Sequence, residues 1–304
     1  VKAHDPTRSD RPHAQRGGTE ESGFRNPAPG VPGHRLRKDL GQHFLRDERV
    51  LDAVVDAAGL QLGHRVLEIG PGPGNLTQRL STAVGPSGRI VAIEADGSLA
   101  AALQGRWSNV EIVHADAVKT DLAASGRFDR IVANLPYLIS GPITVAFLEL
   151  LRDPATRWDR AVLMYQAEFA QRLLAHAGDD SYGRLSVHAA RRVAITKVRD
   201  VPPGAFDPPP KVDSLVLRFE PHAKPPFEVV DETLWRAAVD GTFQQRRKQM
   251  RNTLPGAVAG LGVPKDAAIA ALDDMGLAAE RPEQVAPVVF AQLVGRLAGA
   301  RRAD

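Results

Sequence analysis

The sequence contains no cysteine. Disulfide frameworks and thiolate chemistry are therefore excluded, and a cytoplasmic location is expected. Long apolar runs are missing too. Nothing approaches the roughly 18 consecutive apolar residues of a membrane-spanning helix. Val1 to Arg25 is almost wholly polar, without the apolar centre of a secretory signal. No membrane partner and no metal are expected. What remains is ordinary for a globular chain: 304 residues, 43% hydrophobic and 25% charged, enough for one large domain and a smaller one.

Excess charge is also scarce. The net charge is +3, of which residues 1–38 contribute +4, so the body is nearly neutral and any nucleic-acid surface must come from clustering. Two clusters stand out: Arg184, Arg191, Arg192, Lys197 and Arg199, and then Arg246, Arg247, Lys248 and Arg251. A basic run is more often a solvated helix face than a nucleic-acid site, so charge alone does not decide between them.

Residues 1–33 are rich in Gly, Pro, Arg and Asp, without apolar periodicity, and read as a disordered tail. Beyond them, Val50, Leu51, Val54, Val55 and Ala58 have helical spacing. Short β-branched runs follow at Arg65–Ile69, Arg89–Glu94, Val110–His114, Phe128–Asn134 and Arg160–Tyr165. Strands alternating with helices imply an α/β domain with a parallel sheet covered on both faces. Val193–Val201 and Ser214–Phe219 lack an intervening helix and predict an antiparallel end to that sheet. From about Asp231 the chain reads as short helices broken by Pro255, Pro264 and Pro282. The expected divisions are 1–33, 34–221 and 222–304.

Glu68-Ile-Gly-Pro-Gly-Pro-Gly74 lies between a strand and a helix. Glycines at 70, 72 and 74 allow a tight bend and close approach to a ligand. Pro71 and Pro73 remove two N–H donors, which weakens the case for a phosphate. Glu94 ends the next strand, where a carboxylate can accept from ribose hydroxyls, and Asp116 follows the third, where it could accept from an adenine amine. Either alone would more often be a helix cap. Polar positions ending successive parallel strands converge on one crevice and favour an adenosine-containing ligand, with NAD and S-adenosylmethionine both open.

Asn134-Leu-Pro-Tyr137 separates the two. The adenine amine is a poor nucleophile because its lone pair is delocalised into the ring. Two acceptors, the Asn134 side-chain oxygen and a carbonyl of Leu135 or Pro136, would localise that pair toward an electrophile. Pro136 stiffens the loop, and Tyr137 offers a face for an extruded base. An Asn-Pro turn closing a strand is the commoner meaning of such a segment; its place beside the crevice favours function. Phe206 is read as a second aromatic wall, although a single Phe before a Pro-rich turn is usually packing.

At this point the chain resembles the ribosomal RNA adenine dimethyltransferase family of the KsgA type. The resemblance is carried by Leu40-Gly-Gln-His-Phe-Leu45, Val66–Thr77, Asn134–Tyr137, Tyr182-Gly-Arg-Leu-Ser186, Phe206–Ser214 and Phe243-Gln-Gln-Arg-Arg-Lys248. It implies a Rossmann-like class I methyltransferase domain with a small α-helical C-terminal domain. It also implies S-adenosylmethionine as cofactor and dimethylation of two adjacent adenosines near the 3′ end of 16S rRNA in the immature small subunit, by a monomer. The cofactor contacts it implies are His43, Leu45, Gly70, Gly72, Glu94, Asp116 and Asn134. His43 stands where the family usually has Asn, which suggests a pH-dependent cofactor affinity. Arg184, Arg191, Arg192, Arg246, Arg247, Lys248 and Arg251 are the expected RNA contacts. The alternatives are a 23S adenine methyltransferase conferring antibiotic resistance, a non-catalytic assembly or transcription factor, and a nicotinamide dehydrogenase.

Overall fold

The computed structural model describes residue 37 and residues 41–301; the predicted tail lies outside them. Chain order is β1 (Phe44–Leu45), α1 (Glu48–Ala58), β2 (Arg65–Ile69), α2 (Asn75–Val84), β3 (Arg89–Glu94), α3 (Gly97–Leu103), β4 (Val110–His114), β5 (Arg130–Asn134), α4 (Ser140–Leu150), β6 (Arg160–Gln166), α5 (Ala167–Leu174), α6 (Arg184–Arg192), β7 (Val193–Val201), β8 (Phe206–Asp207) and β9 (Ser214–Pro221). Helices α7 (Glu232–Phe243), α8 (Met250–Val258), α9 (Lys265–Asp274) and α10 (Pro287–Ala300) complete it.

The spacing of α1 is realised: Val50, Leu51, Val54 and Ala58 are buried, Asp47 accepts from the N–H groups of Arg49 and Val50, and Gly59 at φ 56° ends the helix. Capping of this kind is worth about 1 kcal/mol. Strands β2 to β6 are parallel, and β9 runs antiparallel between β6 and β7. The sheet order β4-β3-β2-β5-β6-β9-β7 reverses direction at the β2/β5 junction, the switch point where open α/β sheets bind ligands. Side chains alternate across the sheet, as a period of two requires. Leu67, Ile69, Ile131 and Leu163 enter one core, and Val66, Ile90, Val132 and Met164 the other.

A third core joins α7–α10 and recruits Tyr182 and Val187 from before and within α6. The helical part is thus keyed into the sheet domain well before residue 222. Pro264 caps α9 and Pro282 opens a 3₁₀ turn, as boundaries should. Pro255 breaks nothing. It is buried inside α8, where the lost backbone bond is local and its ring fills core space. A small antiparallel pair, β1 with β8, aligns Phe44 with Asp207 and Leu45 with Phe206. Among the described residues no helix is long and apolar enough to cross a membrane, and no cluster of His, Asp or Glu could hold a metal ion.

Candidate active site

Strand β2 delivers the chain into the Gly-rich turn with Gly70, Gly72 and Gly74 at φ 67°, 58° and 92°, a region L-residues rarely occupy. A Cβ on Gly72 would come within 3.0 Å of the Phe44 ring, and one on Gly70 would lie 3.4 Å from Pro136 Cδ. The turn therefore packs directly on the Asn134–Tyr137 loop. Its donors are directed inward: Gly70 N–H donates to Ile93 O at 2.9 Å, Gly74 N–H to Pro71 O at 3.0 Å, and Gly72 N–H to Glu94 Oε2 at 3.0 Å. With Pro71 and Pro73 lacking N–H groups, residues 70–74 present no backbone donor to a pyrophosphate.

Glu94 is buried, and its other oxygen accepts from Asp96 N–H at 2.9 Å. Burial raises its pKa, while the N–H groups of Asp96 and Gly72 oppose the rise. Each oxygen keeps acceptor capacity for a ribose hydroxyl. Asp116, just past β4, accepts from Val118 N–H at 3.0 Å and pairs with Lys119 at 3.4 Å. It caps its turn and also lines the crevice.

Asn134 ends β5. Its Nδ2 donates to His43 O at 3.3 Å, while its Oδ1 receives no hydrogen bond among the described residues. Leu135 is anchored through its N–H to Met164 O at 3.3 Å, and the Pro136 carbonyl accepts from Ile139 N–H at 3.1 Å. The Tyr137 hydroxyl lies 2.7 Å from Ser214 Oγ, and burial pushes its phenol pKa up. The His43 ring stacks on Tyr137 with centroids 5.9 Å apart, and His43 Nδ1–H donates to Pro208 O at 2.8 Å.

One cavity of about 360 Å³ is lined by His43, Gly70, Gly72, Glu94, Asp116 and Asn134–Tyr137 together. Residues from four strand ends and the β1 segment are thus brought to one place. The donor set fits S-adenosylmethionine better than a dinucleotide, because acceptors for a nucleoside are present and the phosphate cradle is absent. One expectation is corrected. Phe206 is 5% exposed, packs in the core with Leu45 and Val50, and does not reach the cavity, because its pairing with Leu45 turns it inward. Leu45 is also buried, and it lines a small pocket with Phe44, Gly70, Gly72 and Asn134. Its carbonyl accepts from Asn75 Nδ2 at 2.9 Å. Residues that sequence reasoning passed over are Gln42, whose Nε2 donates to Asp96 Oδ2 at 2.9 Å, Leu138 on the cavity wall, and Ser214.

The basic clusters divide. Arg191 pairs with Glu232 and Arg192 with Glu149, both arginines largely buried. These two ion pairs dock α6 onto α7 and α4, which gives both arginines a structural role. Arg246 pairs with Glu283 at 3.3 Å and donates to Asp180 O, and Arg251 pairs with Asp273 at 3.2 Å. Arg184, Arg247 and Lys248 are exposed and have no ion-pair partner among the described residues.

Comparison with known proteins gives the family. A ribosomal RNA small subunit methyltransferase A from Syntrophotalea carbinolica is 45% identical over 232 residues, 75% of this chain and 84% of that protein. A probable one from Methanopyrus kandleri is 37% identical over 88% of this chain and 94% of its own length. The crystal structure of a dimethyladenosine transferase from Plasmodium falciparum superposes with a TM-score of 0.70 at 27% identity, covering 85% of this chain and 98% of that one. The 23S rRNA methyltransferase ErmE gives 0.61 at 27%, covering 84% and 99%. The family described as ribosomal RNA adenine dimethylase matches residues 33–286, and the chain belongs to that family.

Proposed function

We propose that this protein dimethylates N6 of two adjacent adenosines near the 3′ end of 16S rRNA, acting as a cytoplasmic monomer on the immature small subunit. As a family member it is an S-adenosylmethionine-dependent rRNA adenine dimethyltransferase. The small-subunit target is supported by relatives named for that subunit. The observation that supports the chemical reading is that Asn134, Leu135, Pro136 and Tyr137 line the same cavity as Gly70, Glu94 and Asp116.

When bound, S-adenosylmethionine supplies an electrophilic methyl group. The chain's residues orient the nucleophile. Asn134 Oδ1 accepts one N6–H. The Pro136 carbonyl is already engaged by Ile139, so in this reading the Leu135 carbonyl accepts the other. Both bonds draw density onto nitrogen and aim its lone pair. Tyr137 supports the ring of a base taken out of its stack, and Glu94 and Asp116 hold the nucleoside of the donor. The alkylated nitrogen becomes acidic enough to release its proton to solvent, so the site works mainly by positioning.

Transfer of labelled methyl groups to immature small subunits, mapped by primer extension on 16S and 23S rRNA, tests this. Asn134→Ala is expected to lower kcat by at least about 100-fold, of the order seen when a positioned hydrogen-bonding group is removed, with RNA affinity within about threefold. Methylation of 23S rRNA alone would favour the large-subunit reading, which the likeness to ErmE keeps relevant. Full turnover by Asn134→Ala would refute the role given to that amide.

A further inference from the structure

Tyr137 and Ser214 belong to different parts of the sheet. Tyr137 lies three residues past β5, at the start of a 3₁₀ turn. Ser214 is the first residue of β9, two strands away across β6. The serine backbone is fixed on both sides, opposite Gln166 of β6 and Val201 of β7. Its side chain is fully buried, and its one hydrogen bond among the described residues is to the Tyr137 hydroxyl, at 2.7 Å. A tyrosine ring has two side-chain torsions, and tethering its far oxygen to a rigid strand removes most of its remaining swing. The His43 ring stacked on it restricts it further.

We propose that Ser214 is a positioning residue for the target base: its buried hydroxyl fixes the tilt of the Tyr137 ring against which the adenine rests. This rests on Tyr137 being the stacking surface. The bond ties a half-buried ring to a fully buried serine, so it acts on the orientation of that ring. What is lost is orientation, and misplacing a reacting group by about 1 Å is enough to cost a large rate factor. The loss should fall on kcat rather than on RNA capture, which depends on contacts elsewhere.

The test is a double-mutant cycle on the full chain, with immature small subunits as substrate. Ser214→Ala and Tyr137→Phe should each lower kcat about tenfold, equivalent to about 1.4 kcal/mol of transition-state stabilisation, with KM for the subunit within about twofold. The double variant should be no slower than either single one. Ser214→Thr, which restores a hydroxyl, should return kcat to within about threefold of wild type. Wild-type kcat in Ser214→Ala, or a double variant slower by the product of the two single effects, would overturn the proposal. If Ser214→Ala does not fold, Tyr137→Phe decides alone, tenfold slowing supporting the clamp and wild-type kcat refuting it. Tyr137→Ala separates the two levels. Severe loss there with no effect of Ser214→Ala sinks only the clamp, whereas wild-type kcat in Tyr137→Ala sinks the stacking role and the clamp with it.

Discussion

Glu68 lies in the middle of the sheet, under the Gly-rich turn, fully buried, and neither carboxylate oxygen has a hydrogen-bond partner among the described residues. Thr77 Oγ1 is near enough to hold the shift back, but it makes no bond of normal geometry. Burial therefore dominates, and the carboxyl pKa is pushed up to about 8, with Glu94 adding to the rise. At neutral pH the folded protein keeps this group protonated, while the unfolded chain releases the proton from its ordinary value of 4.5 upward. The folded state binds more protons throughout that interval, so stability falls as pH rises from 4.5 to about 8 and levels off above it. At pH 7 the gap amounts to about 3 kcal/mol at 1.36 kcal/mol per unit. Glu68→Gln, neutral in both states, removes this dependence. Urea denaturation of the ligand-free protein is expected to show the variant gaining on wild type by about 1 kcal/mol at pH 5 and about 3 kcal/mol at pH 7. The pH 7 difference corresponds to a rise in Tm of roughly 6–12 °C for a chain of this size. A stability difference that is flat between pH 5 and pH 8 would refute the reasoning, because it would mean that Glu68 ionises alike in both states.

Gly72→Ala forces an L-residue to φ 58° and drives a methyl into the Phe44 ring. It should cost about 1–2 kcal/mol of stability and weaken S-adenosylmethionine binding about tenfold by calorimetry, and an unchanged Kd would detach the turn from the cofactor. Replacing Arg247 and Lys248 by Gln should reduce the log–log salt slope of RNA binding by roughly one unit per lost contact. Arg246, already tied to Glu283 and Asp180, should contribute less to that slope when replaced alone. Filter binding across a salt series measures both, and an unchanged slope in the double variant would assign that stretch to a solvated face.

The sheet was legible because buried parallel strands leave a strong local mark, a short run of β-branched residues closed by Gly, Asp or Asn. Arg65–Ile69, Arg89–Glu94 and Val110–His114 could be bounded without error for that reason. Once strand ends are known in such a fold, much of the site is known too, since the crevice lies at their carboxyl ends. That is why Gly70, Glu94, Asp116 and Asn134 meet in one cavity. Phe206 could not be placed the same way. It sits in a two-residue strand that carries no periodicity, and the face it presents is set by pairing with Leu45. The arginines fail to separate for a related reason. Arg191 and Arg247 look alike in sequence, yet the acid that neutralises Arg191 is Glu232, brought there only by the packing of α7 on α6. A positive charge in sequence becomes a surface for RNA only where the fold supplies no carboxylate against it. The same holds for Tyr137, whose residue type suggests a platform for a base while the bond that steadies it comes from β9. The chemistry of this site is therefore written at strand ends, and its alignment is written in contacts between segments far apart in the chain.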